Sequence, residues 1–153
     1  MSERGWDGRL RTSSAQALYL HVPFCARKCA YCDFASWDTR AQDPLMAAYA
    51  HALSVQIDEA EDLGLLQDVD TAYVGGGTPS LLGEGLAPLV SRVAALGVSE
   101  LTCEANPDSL TDSLLEGLAR AGATRLSVGV QSLKDAELAE LGRLHDAACA
   151  KER

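Results

Sequence analysis

The chain has 153 residues, 47% of them hydrophobic, and 13 Lys and Arg against 22 Asp and Glu give it a net charge of -9. That length and apolar content predict a soluble globular chain of one domain, and the acidity argues against general affinity for nucleic acid or anionic membranes. Residues 1–17 read as a polar arm of mixed charge without the apolar centre of a secretory signal. No later apolar run is long enough to cross a bilayer, so residues 18–153 form the expected core and the cytosol the expected compartment.

Along the chain, Leu18 to Val22 alternates and stops at Pro23, as a strand feeding a loop should. The loop carries Cys25, Cys29 and Cys32. Asp43-Pro44 offers a capping carboxylate followed by proline at the first helical position, and Leu45, Tyr49, Leu53, Ile57 and Ala60 recur at helical spacing until Gly64. A second strand, Val69 to Val74, runs into Gly75-Gly76-Gly77-Thr78-Pro79. A helix with Leu86, Leu89, Val90, Val93 and Leu96 inward follows and ends near Gly97. Leu101 to Ala105 reads as a strand, Thr111 to Ala121 as a helix burying Leu114, Leu115 and Leu118, Thr124 to Val130 as a fourth strand, and Asp135 to Leu141 as the start of a fourth helix.

Strands alternating with helices imply a parallel α/β sheet or barrel with right-handed crossovers. A dinucleotide-binding sheet would place G-x-G-x-x-G after the first strand, where this chain has its cysteines. Strand parity favours a barrel. Leu18, Leu20 and Val22 oppose Tyr19 and His21; Leu101, Cys103 and Ala105 oppose Thr102 and Glu104; Leu126, Val128 and Val130 oppose Ser127, Gly129 and Gln131. A sheet covered by helices on both faces would bury both, whereas one apolar and one polar face suit helices outside and a ligand-filled lumen inside. Chemistry is then expected at the carboxyl ends of the strands.

The C-x3-C-x2-C array of Cys25, Cys29 and Cys32 offers three thiolates and omits a fourth. A four-iron cluster takes one ligand per iron, so the array would hold such a cluster and leave one iron open. The rival is structural zinc, which takes four closed ligands as two pairs, and Cys103 and Cys149 stand alone. Cys103, on the helix-facing parity, reads as a small buried apolar residue, and Cys149 has no assigned role. His21, His51 and His145 show no metal spacing and read as structural or exposed. The glycines at 75–77 allow close approach of a ligand or a tight turn. Glu104 needs a donor or cation if it faces the lumen, and Gln131 and Arg143 could bond ligand oxygens. A salt-bridged glutamate, a capping glutamine and a surface arginine remain open for these three, as does simple packing for Tyr19 and Tyr31.

The cysteine spacing resembles the radical S-adenosylmethionine (SAM) superfamily, whose open iron chelates the amino and carboxylate groups of SAM before reductive cleavage of the sulfonium gives a 5′-deoxyadenosyl radical. Leu18-Tyr-Leu-His-Val-Pro-Phe-Cys25, Tyr73-Val-Gly-Gly-Gly-Thr-Pro-Ser80, Glu104-Ala-Asn-Pro107 and Arg125-Leu-Ser-Val-Gly-Val-Gln-Ser132 resemble the oxygen-independent coproporphyrinogen III oxidase-like family over about residues 18–148. The resemblance implies cluster ligation by Cys25, Cys29 and Cys32. It implies SAM contacts by Tyr19, Tyr31, Gly76, Gly77, Thr78, Glu104, Gln131 and Arg143, with Gly75 to Pro79 holding the methionine amino group.

Members of that family either decarboxylate coproporphyrinogen III or, in the heme-chaperone branch, bind heme and deliver it to respiratory proteins. The oxidases carry a further cysteine two residues after the third ligand, where this chain has Phe34; with Leu141-Gly-Arg-Leu-His-Asp146 this resembles the heme-chaperone branch. Implied partners are SAM, heme or a porphyrinogen, an electron-donor protein and heme-accepting respiratory proteins. The fold class expected is a partial (β/α) barrel with about three and a half of about six strand-helix units. An N-terminal fragment or truncated product is the corresponding expectation.

Overall fold

The computed structural model describes residues 14–40 and 42–153, so most of the expected arm over 1–17 lies outside the described residues. Its last residues belong to the core: Ala15 N donates to Leu65 O at 2.8 Å, and the first strand, β1, spans Ala17–Val22. Two short strands, β2 (Phe24–Cys25) and β3 (Trp37–Asp38), pair in parallel and close the cysteine loop at its ends. Then come α1 (Pro44–Asp62), β4 (Thr71–Gly76), a 3-10 segment (Pro79–Gly85), α2 (Leu86–Ala94), β5 (Glu100–Ala105), a 3-10 turn (Pro107–Ser109), α3 (Asp112–Ala121), β6 (Arg125–Val128), α4 (Asp135–Glu140) and α5 (Ala147–Glu152).

The main sheet is parallel in the order β1-β4-β5-β6. Each strand-helix unit steps one place along the sheet, so each strand of this sheet pairs with the one before it. Leu20, Val22, Val74, Leu101 and Cys103 point to the helical side and meet Leu86, Leu89, Val90, Val93, Leu114 and Leu118 in one core. The opposite face carries Tyr19, Tyr73 and Glu104. This is the α/β partial barrel that the alternation of strand faces predicts.

Side-chain caps start two of the expected helices, the first as Asp43-Pro44 predicts and the second at Thr111, which precedes α3 instead of opening it. Asp43 Oδ1 accepts from Leu45 N at 2.9 Å with Pro44 next to it, and Thr111 Oγ1 accepts from Leu114 N at 3.2 Å. Of the residues at helical spacing in α1, Leu45 is 59% exposed, and its neighbour Met46 is the one buried in the core. The strands are also displaced from expectation: β4 runs two residues further, to Gly76, and β6 ends at Val128 rather than Val130. The segment after Asp146 opens a short helix, capped by Asp146 Oδ1 accepting from Cys149 N at 2.7 Å.

Candidate functional site

The site forms where the carboxyl ends of β1, β4, β5 and β6 meet the cysteine loop. Beyond β1 the ladder persists into this loop: Gly77 N donates to Val22 O at 2.8 Å and Thr78 N to Phe24 O at 2.7 Å. The glycine run follows from that approach. A Cβ on Gly77 would stand 2.6 Å from Phe24 O and 2.9 Å from Cys25 Sγ, and one on Gly76, whose φ is +121°, would meet the His21 ring at 2.8 Å. Much of the space denied to side chains here is filled by the protein itself.

The far half of the cysteine loop is held by His21. Its Nε2 lies 2.8 Å from Ala35 O, which can only accept, so Nε2 carries the proton and Nδ1 accepts from Tyr19 O–H at 3.0 Å. The near half is held by Arg27, whose guanidinium donates to Gly142 O at 2.6 Å and Arg143 O at 3.2 Å. The loop is therefore tied to β1 on one side and to the turn after α4 on the other.

Glu104, on the lumen side of β5, is satisfied within the protein. Its Oε1 accepts from Tyr73 O–H at 2.6 Å and its Oε2 from Gly76 N–H at 2.9 Å. Burial, then the bond to Glu104, raises the Tyr73 phenol above its ordinary value. Tyr31 is likewise raised, by burial and by Cys29. Arg143 reaches across the site: Nη2 donates to Asn106 Oδ1 at 2.6 Å and to Gly129 O at 2.7 Å, while Nη1 donates to Cys29 Sγ at 3.3 Å. Its Nε is buried without a partner among the described residues.

Around these groups lies a cavity of about 380 Å³. The three cysteines line it, as do the 76–78 segment, Tyr31, Glu104, Gln131 and Arg143. Of the sequence candidates, Tyr19, Gly75 and Pro79 are absent from its lining. Tyr19 is 56% exposed on the lumen face, stacks on Tyr73 with ring centroids 6.1 Å apart, and donates to His21 Nδ1. Gln131 takes a left-handed conformation, φ +67°, that turns its amide back toward Gly129. Residues that sequence reasoning passed over include Arg27, Tyr73 and Asn106. Tyr73 and Asn106 fall inside motifs that carry the resemblance, whereas Arg27 gave no signal beyond its place in the cysteine loop.

Residues 19–152 match the model of the Radical SAM superfamily. The chain belongs to that superfamily. It is 38% identical over 142 residues to the heme chaperone HemW of Escherichia coli, covering 88% of this chain and 37% of that protein. It is 39% identical over 140 residues to the mitochondrial radical S-adenosyl methionine domain-containing protein 1 of Bos taurus, covering 88% of this chain and 31% of that one. The solved radical SAM enzyme coproporphyrinogen III oxidase (HemN) of E. coli superposes with a TM-score of 0.74 at 27% identity, over 88% of this chain and 32% of that one. The chain thus spans about a third of the length of these relatives.

Radical SAM membership implies use of a [4Fe–4S] cluster and SAM, and the site's donors fit both groups. Three soft thiols line one cavity, the chemistry that iron–sulfur clusters take. Among the described residues no three His, Cys, Asp or Glu side chains converge as a single metal ion would require. The buried, unpartnered Arg143 Nε is a cationic donor of the kind a carboxylate satisfies. No described helix is long and apolar enough to cross a membrane.

Proposed function

We propose that this chain supplies the cofactor-holding part of a radical SAM heme chaperone. Cys25, Cys29 and Cys32 would hold the cluster, and the cavity they share with the strand ends would take SAM. The observation that carries this reading is the gathering of three cysteines, the 76–78 segment and Arg143 around one cavity of about 380 Å³. When bound, the cluster supplies an electron and an iron open to the amino and carboxylate groups of SAM.

The chain's own residues bind and orient. Arg143 pairs with the SAM carboxylate, and the 76–78 backbone approaches the amino group. Glu104, held by Tyr73 and Gly76, presents its remaining lone pairs to ribose hydroxyls, with Gln131 beside them. Tyr31 packs along the cavity wall next to Cys29. Tyr19, assigned by resemblance to SAM, stands on the lumen face beside Tyr73 and bonds to His21 Nδ1.

Two observations support heme carriage and delivery to respiratory proteins over decarboxylation: the similarity to heme chaperones and the Phe34 side chain where the oxidases have cysteine. An electron-donor protein and a reducing compartment, the cytosol by the composition argument, complete the reading. The structural likeness to the oxidase keeps decarboxylation of coproporphyrinogen III as the rival.

Grafting residues 19–152 onto the remainder of the E. coli heme chaperone gives a full-length protein for the test. The reading predicts a heme absorption band on titration and no carbon dioxide from coproporphyrinogen III with SAM and reductant. Release of carbon dioxide with formation of protoporphyrinogen overturns it in favour of the oxidase.

A further inference from the structure

We propose that Asn106 is a positioning residue that aims two hydrogen-bond donors at two of the cluster cysteines. The inference rests on the reading of Cys25 and Cys29 as cluster ligands and goes beyond it in naming what orients the groups around their sulfurs. Asn106 follows β5 and opens the Pro107–Ser109 turn, where Ser109 N donates back to Asn106 O at 3.1 Å and fixes the backbone.

Its side-chain amide bridges two elements that are remote in sequence. Nδ2 donates to Thr78 Oγ1 at 3.0 Å, and Oδ1 accepts from Arg143 Nη2 at 2.6 Å. The amide has one consistent orientation, since a flip would set its N–H groups against the guanidinium, donor to donor. Because the Thr78 oxygen already accepts from Asn106, its own O–H is directed elsewhere, and it donates to Cys25 Sγ at 3.8 Å in a buried position. On the other arm, the bonds of Arg143 Nη2 to Asn106 and Gly129 O set the fork so that Nη1 reaches Cys29 Sγ at 3.3 Å. Gly129 leaves the room this needs, as a Cβ there would stand 2.8 Å from Asn106 Oδ1.

One amide therefore sits between two donors, each ending on a cysteine sulfur. Reduction adds negative charge to a cluster, and donors at its sulfurs stabilise that charge, so their number and aim set the potential. Partners that orient a metal site's ligands are worth about 10- to 100-fold in metal retention. Asn106→Asp keeps an acceptor for Arg143 but turns the Thr78 hydroxyl toward the new carboxylate and away from Cys25. Asn106→Ala releases both arms.

The test is an EPR-monitored redox titration of anaerobically reconstituted protein, with iron loss to a chelator followed in parallel. The midpoint potential is expected to fall in the order parent, N106D, N106A, and N106A to lose iron roughly 10- to 100-fold faster. Thr78→Val should lower the potential as N106D does, and N106D combined with T78V should add little to T78V alone. Parent potential and iron retention in N106A overturn the inference, and so does full additivity of N106D and T78V. If N106A fails to fold by circular dichroism, N106D and T78V decide the matter by the same criteria. A parent chain that loads no cluster overturns the functional reading and this inference with it, whereas a loaded parent with unmoved variants overturns the role of Asn106 alone.

Discussion

Alanine at Gly77 tests the claim that the glycine run exists so the chain can close on its own cysteine loop. The added Cβ would stand 2.6 Å from Phe24 O, 3.0 Å from Phe24 C and 2.9 Å from Cys25 Sγ. Two of those atoms are backbone, tied down by Thr78 N donating to Phe24 O at 2.7 Å, so relief requires the strand end or the loop to move. Overpacking of this kind costs about 1–3 kcal/mol. For a chain of this size that lowers Tm by roughly 3 to 10 °C. Gly117 provides the control within α3. Its Cβ would meet only Ala87 Cβ at 3.8 Å, an ordinary contact. Replacing a mid-helix glycine by alanine stabilises by about 0.5–1 kcal/mol, a rise of roughly 1 to 4 °C. Thermal unfolding followed by circular dichroism separates the two. Because Cys25 moves in Gly77→Ala and nothing near it moves in Gly117→Ala, iron uptake should fall in the first and hold in the second. A Gly77→Ala protein that melts with the parent and loads iron normally would refute the reasoning.

Alkaline pH should weaken the fold. Burial is the leading cause that raises Tyr19, Tyr31, Tyr49 and Tyr73 above 10.0, and it pushes Cys103 from 9.0 up to about 11. Each group holds its proton more tightly folded than unfolded, so its contribution is complete below the unfolded value and is lost as pH rises through the folded one. Urea unfolding should show stability declining from about pH 9 upward, and Cys103→Ala should delay that onset. Asp43→Ala removes the cap on Leu45 N and should cost about 1 kcal/mol, read as a Tm lower by roughly 2 to 4 °C. Glu104→Gln should unfold within about 1 kcal/mol of the parent, since its amide oxygen can accept from Gly76 N–H while the Tyr73 hydroxyl turns to accept. Glu104→Ala leaves that N–H unpaired and should cost about 1–3 kcal/mol in urea unfolding.

The alternation of strands and helices was legible in the sequence because its signals are local: Asp43-Pro44, Thr111, and the apolar repeats of α2 and α3. Strand parity revealed the lumen face, since Tyr19 and Glu104 fall where a two-residue period puts them. What escaped was set by tertiary contact. β4 extends to Gly76 because Gly75 and Gly76 pair with His21 and Val22 at the end of β1, which no local pattern announces. Leu45 fits the helical period yet faces outward, as the first turn of α1 lies at the edge of the core. The cysteines were visible from spacing and the Glu104 and Arg143 positions from resemblance, but their protein partners were not. Arg27, Tyr73 and Asn106 matter through bonds to residues 28 to 116 positions away, a distance at which sequence order carries no geometric information.

Iron, sulfide and zinc analysis of the chain purified and reconstituted without oxygen, with SAM binding measured on the same sample, addresses the central claim most directly. The account predicts about four iron and four sulfide per chain on Cys25, Cys29 and Cys32, lost when any one of these becomes alanine, and SAM bound only by the iron-loaded form. Stoichiometric zinc with no sulfide, or iron retention indifferent to these cysteines, would contradict it.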